Sequence, residues 1–124
     1  MRKLQIIIPL LSFALVLVLL KFVFYIGYVP TESMEPTIPA DSKVFGSRII
    51  HELNIGDIIV FEHNGTNMVK RIAAGPGDEL TNTLVVPDNC YYVLGDNFKN
   101  SYDSRYWSEP FVHRKKIKAR ILFH

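Results

Sequence analysis

The sequence predicts a mainly β domain, a compact antiparallel sheet or barrel-like body, carried behind a single N-terminal transmembrane helix. Three observations predict it. Residues 4–29 form an apolar run with one charge, Lys21. Short β-branched and aromatic runs, cut by frequent Gly and Pro, fill the rest of the chain. No gap between those breakers has room for a long amphipathic helix. The 124 residues allow one compact domain. With the apolar segment set aside, about 95 residues remain, enough for a small core.

A helix over 4–29 would reach about 39 Å at about 1.5 Å per residue, more than the roughly 30 Å of a bilayer's hydrocarbon core. Lys21 then lies toward the far end and snorkels its ammonium to the interface. Phe22, Phe24, Tyr25 and Tyr28 suit a headgroup belt, and Pro9 falls in the first turns, where it is tolerated. Arg2 and Lys3 resemble the start of a cleaved leader, but no small-x-small site follows in "YIGYVPTES", so the segment reads as an uncleaved anchor. No acidic residue precedes Glu32. The positive-inside rule therefore puts the N-terminus in the cytoplasm and residues 30–124 on the extracytoplasmic side of an inner or plasma membrane. The expected units are an anchor, 1–29, and a β-rich domain, 30–124, with the bilayer as one partner.

Beyond the anchor, "KVFGSRII" (43–50), "DIIVFE" (57–62), "NMVKRIAA" (67–74), "TLVV" (83–86), "CYYVLG" (90–95) and "KIKARILF" (116–123) read as strands. Asn64-Gly65 between the second and third is the strongest short-range hairpin signal. Asn64 also opens an Asn-x-Thr sequon, which reads as turn chemistry first.

The totals exclude several classes. A net charge of +2 is too weak to imply nucleic acid. The basic run "HRKKIKAR" (113–120) reads as the polar face of an edge strand or a stretch near anionic lipid. The single cysteine, Cys90, rules out an internal disulfide framework and reads as a core residue. No His/Cys cluster or H-E-x-x-H occurs, and Gly75-Pro76-Gly77 lacks the end of a phosphate loop. No metal and no cofactor is expected.

One stretch stands out. "PTESMEPTI" (30–38) sets Ser33 at the exit of the apolar segment, where a hydroxyl either sits in a turn or attacks something. An attacking serine needs a base. Lys70 lies among Met68, Val69, Ile72, Ala73 and Ala74. It either faces outward, as half of strand positions do, or points inward and loses its proton through burial. A free lysine is neutral at pH 7 in only about one molecule in 2,500. Desolvation can bring the amine into use as a general base, at about 1.4 kcal/mol per pKa unit. His51, His63 and His113 compete for the role, but stand in polar contexts with no carboxylate placed to orient them.

"SMEPTI" (33–38), "GDIIVF" (56–61), "KRIAAGPGD" (70–78) and "GDNFKNSYDSRYW" (95–107) together resemble, in order, the characteristic boxes of type I signal peptidases. The match touches most of residues 29–107, and its last box is the most specific. The resemblance implies a Ser–Lys dyad protease that removes signal peptides from exported preproteins, with Ser33 as nucleophile and Lys70 as general base. A lysine at 70 resembles the bacterial or mitochondrial-inner-membrane kind, since the endoplasmic-reticulum branch has histidine there. By the same resemblance, Thr31 assists the Ser33 N–H as an oxyanion hole and Ser101 orients the lysine amine. Arg71, Asp103 and Arg105 form a charge cluster behind the site, an aspartate between guanidiniums. Gly95, Asp96 and Asn97 make the turn that returns the loop. Val29, Pro30, Met34, Ile38, Met68 and Val69 fall where the family lines shallow pockets for small residues, typically alanine. Glu32 and Glu35 flank the nucleophile and are expected to face solvent. Only residues 79–94 separate Asp78 from Gly95, so the large insert of some bacterial members is missing, and Ser108 replaces the glycine usual after the tryptophan. Two other readings stay open: a specialised relative that processes one pilin-like or conjugation-linked substrate, and an inactive membrane-tethered binding domain. A self-cleaving repressor is disfavoured by the anchor and by the lack of a DNA-binding helical domain.

Overall fold

A computed structural model describes residues 1–124. The apolar segment is divided rather than continuous. Helix α1 runs Arg2–Val23 and strand β1 follows at once, Phe24–Val29. The helix is therefore 22 residues, about 33 Å long, and is apolar enough to cross a membrane. Lys21 stands in its last turn. The helical expectation to residue 29 fails because hydropathy cannot tell an apolar helix from an apolar strand. Phe-Tyr-Ile-Gly-Tyr-Val has the aromatic and β-branched make-up of the latter.

The remaining strands are β2 (Ser42–Ser47), β3 (Ile58–His63), β4 (Thr66–Ala74), β5 (Glu79–Thr81), β6 (Leu84–Val85), β7 (Cys90–Leu94), β8 (Val112–His113) and β9 (Ile117–Phe123). All six strand runs read from the sequence are present. β1, β5 and β8 are additional. Seven strands make one antiparallel sheet in the order β1-β2-β9-β3-β4-β7-β8, and β5 and β6 form a separate ribbon. The fold is mainly β as expected, but the sheet stays open, ending at β1 and β8.

The basic run is divided: His113 ends edge strand β8, Arg114–Lys116 form a 3-10 turn, and Ile117–Arg120 belong to β9, which lies inside the sheet between β2 and β3. A strand's place in the hydrogen-bond order is independent of how polar its exposed face is, and composition reports only the second. The β3–β4 hairpin turns at Asn64 and Gly65, with φ of 50° and 80°. This is the positive-φ pair that matches strand twist.

Two buried clusters hold the sheet. One gathers Ile59, Phe61, Ile72, Tyr91, Val93, Trp107 and Val112. The other gathers Val29, Met34, Ile38, Val44 and Ile58 under the 30–41 loop. Cys90 is only half-buried.

Candidate active site

Strand alternation decides where Lys70 points. On β4, Lys70, Ile72 and Ala74 are buried, whereas Val69, Arg71 and Ala73 are not. Successive strand residues face opposite sides, so Lys70 shares the inward face with Ile72 and sits opposite fully buried Ile59. Its side chain is 5 % exposed. Of the two orientations open from sequence, the inward one is found.

Ser33 reaches it from the 30–41 loop. A helical turn there, closed by Ile38 N–H donating to Met34 O at 2.9 Å, drops Met34 and Ile38 into the core and leaves Ser33 at its mouth. Lys70 Nζ donates to Ser33 Oγ at 2.8 Å, and Thr31 Oγ1 donates to the same oxygen at 3.2 Å. Burial drives the Lys70 pKa below the ordinary lysine value, opposed in part by the negative charge of Asp103. Glu32 is exposed, and Glu35 is spent on the loop, its Oε1 accepting from Ala40 N–H at 3.0 Å. Neither ion-pairs with the amine. His63 stacks on Trp107, 3.9 Å between ring centroids; His113 caps a 3-10 turn at Lys115; His51 is exposed. No histidine lines the cleft at Ser33.

The loop after β7 locks the nucleophile from behind. Asn97 N–H donates to Ser33 O at 2.8 Å, and Asn97 Nδ2 donates to Glu32 O at 3.0 Å. Asp103, fully buried, accepts from Gly95 N–H at 2.9 Å and from Arg105 Nε at 2.8 Å and Nη2 at 3.0 Å. Burial alone would raise its pKa, but the Arg105 guanidinium and the Gly95 N–H outweigh it and hold the carboxyl below its usual range.

The expected cluster of Arg71, Asp103 and Arg105 is not one cluster. Arg71 pairs with Asp96, Nη2 to Oδ2 at 2.7 Å and Nε to Oδ1 at 2.8 Å, and also donates to Gly56 O. Arg71 follows Lys70 directly, so it faces the other side of the sheet and meets the start of the loop instead of Asp103. Asp96 is thus a supporting residue the sequence reading placed only in a turn. A carboxylate one residue after Gly95 was the available signal.

Ser101 is buried beside Gly95. Its hydroxyl lies near the Asp103 carboxylate and makes no hydrogen bond to Lys70.

A cleft of about 330 Å³ opens over Ser33 and Lys70. Val29, Pro30, Met68 and Val69 line it, as expected. Met34 and Ile38 do not: both are fully buried in the cluster beneath, because the turn that presents Ser33 directs them into the core. Tyr28, Thr66, Asn67, Asn100 and Tyr102 line the cleft without having been singled out. Over residues 66–70, β4 pairs only with β3, and β1 pairs only with β2. Two free strand edges therefore border the cleft.

The family model described as signal peptidase, peptidase S26, matches residues 2–84 and 79–124. The chain is 34% identical to the probable signal peptidase I-2 of Synechocystis sp., over 80% of this chain and 62% of that protein. It is 32% identical to the probable signal peptidase I-1 of the same organism, over 94% of this chain and 79% of that protein. Mouse mitochondrial inner membrane protease subunit 1 is 32% identical over 73% of this chain and 63% of its own length. The chain thus spans between about three fifths and four fifths of the length of these relatives.

Proposed function

Because the chain belongs to the S26 family of signal peptidases, we propose that it is a membrane-anchored serine endopeptidase that removes N-terminal signal peptides from exported preproteins. Ser33 is the nucleophile and Lys70 the general base. The observation that carries this is the 2.8 Å contact between a buried amine and a serine hydroxyl at the floor of an open cleft.

The chemistry follows from that contact. A neutral Lys70 amine accepts the Ser33 proton as Oγ attacks the scissile carbonyl. Negative charge then grows on the carbonyl oxygen. The Ser33 N–H donates to no acceptor within the chain and the Thr31 hydroxyl is close by, so both are available to that oxygen. The Lys70 ammonium returns its proton to the leaving amine, and the acyl-enzyme forms. Water, deprotonated by the same amine, releases the signal peptide.

The substrate lies extended between the free edges of β1 and β4, each supplying main-chain bonds. Val29, Pro30, Met68 and Val69 wall the subsites on either side. They select small residues by overlap with large ones, because apolar burial alone discriminates by only about 1–3 kcal/mol per methylene.

The test is a preprotein with Ala-x-Ala before its junction, incubated with the full chain in detergent. Cleavage after the second alanine is expected, with loss of cleavage when that alanine becomes leucine. No cleavage of any preprotein would leave a tethered binding domain as the reading; cleavage of one pilin-like substrate alone would leave the specialised relative. Thr31→Val is expected to lower kcat about a hundredfold with KM little changed, and Thr31→Ser to retain most activity. For orientation, protease added outside sealed inside-out vesicles is expected to spare residues 30–124.

A further inference from the structure

The largest concavity of the chain is not the Ser33 cleft. A trough of about 970 Å³ lies where α1 meets β1, β2 and β9. Leu17, Phe22, Phe24, Phe45 and Phe123 form its apolar wall, the last two stacked with centroids 5.0 Å apart. Two cations, Lys21 and Arg48, also line it, and no carboxylate does. Arg48 is anchored there. Its N–H donates to Val23 O at 2.7 Å, its Nε donates to Phe24 O at 3.1 Å, and its guanidinium carbon lies 5.1 Å from the Tyr25 ring centre. Its terminal nitrogens are left free. The ion pairs of the chain, Arg71–Asp96 and Arg105–Asp103, involve neither cation.

We propose that this trough binds one anionic phospholipid. The phosphate sits between the Lys21 ammonium and the fork of Arg48, and one acyl chain lies along the apolar wall. Guanidinium geometry matches phosphate oxygens in pairs. A zwitterionic headgroup brings its own cation toward Lys21 and Arg48 and loses that advantage. The proposal rests on α1 lying in a bilayer and not on the chemistry of Ser33.

The test is native mass spectrometry of the full chain released from detergent micelles, with phosphatidylglycerol or phosphatidylcholine added. One phosphatidylglycerol is expected to be retained, preferred about 25-fold, the effect of two cations at a lipid surface. Lys21→Gln, which leaves the Arg48 bonds intact, is expected to cut that preference about fivefold. Lys21→Gln/Arg48→Gln should abolish it, and Lys21→Arg, which keeps both charges and the Arg48 fork, should keep it. Lys115→Gln/Lys116→Gln, remote from the trough, should leave it unchanged. Inorganic phosphate should displace nothing, because it cannot occupy the apolar wall. Equal retention of the two lipids, an unchanged preference in Lys21→Gln, an equal loss in Lys115→Gln/Lys116→Gln, or displacement by phosphate would each overturn the proposal. Preprotein cleavage is read separately in the same samples, so failure of the peptidase reading stays distinct from failure of the lipid site.

Discussion

Ser33→Ala and Lys70→Ala are each expected to lower preprotein cleavage by at least about 10⁴-fold, because the proposed nucleophile and base would act as one unit. Lys70→Arg is expected to fail equally. A guanidinium keeps its proton at any working pH and cannot accept the one on Ser33. In the native chain, cleavage is expected to rise with pH as the proposed base, the Lys70 amine, deprotonates. The midpoint of that rise lies below the ordinary lysine value of 10.5, since burial lowers it. A rise centred at or above 10.5 would contradict a desolvated amine as the base.

The same burial has a stability consequence that runs in the same direction with pH. Between the folded-state pKa of Lys70 and its unfolded value, the unfolded chain holds a proton that the folded chain does not. Stability contributed at this site therefore increases with pH across that window and is lowest below it. Lys70→Met removes the cost and fills a similar volume. It is expected to raise Tm at neutral pH, and by less near pH 10, while abolishing activity. A Tm gain that grows with pH would contradict the assignment of a desolvated amine.

Gly95→Ala is the second large effect. A Cβ there would stand 2.0 Å from Ser101 Oγ, 2.5 Å from Ser101 Cβ and 2.6 Å from the Ser33 carbonyl oxygen. The last contact is backbone and cannot rotate away. The loop carrying Asp103 would have to lift from the nucleophile segment, losing the Gly95–Asp103 and Asn97–Ser33 bonds. The expected destabilisation is about 3 kcal/mol, with cleavage lost at temperatures where the protein still folds. Ser101→Gly in the same chain should recover part of the stability and little of the activity, because the Ser33 oxygen remains in the way. Gly75→Ala is the control: its nearest neighbour would be Asp78 Oδ2 at 3.9 Å, and thermal melts should barely move.

Much of this was legible in the sequence. Six strands and the Asn64-Gly65 turn follow from residue pattern and turn chemistry, and the motif resemblance singled out Ser33 and Lys70, which the fold brings to 2.8 Å. What was not legible has physical causes. Arg71 and Asp103 sit in neighbouring boxes, but strand alternation sends Lys70 and Arg71 to opposite sides, and sequence spacing does not state which loop carboxylate each side meets. Met34 and Ile38 share apolar character with Val29 and Pro30, and only the turn at Ser33 separates floor from wall. The division at Val23 was hidden because both segments are apolar, and the strand is fixed by pairing with β2, from Phe24 opposite Ser47 to Val29 opposite Ser42, a contact made by residues distant in the chain.

That division sets a height. α1 becomes β1 with no intervening loop, and β1 is bonded along its length to β2. The strand is therefore a stiff stalk of about 20 Å between the end of the helix and the loop bearing Ser33. It ties the loop bearing Ser33 to the end of α1, so in the proposed arrangement, with α1 in the bilayer, the distance of the serine from the lipid has little freedom. Preproteins would be sorted by how far their cut site stands from the end of their own hydrophobic segment, as well as by the residues beside it. Inserting a flexible Gly-Ser spacer between Val23 and Phe24 would blur that gauge without touching the dyad.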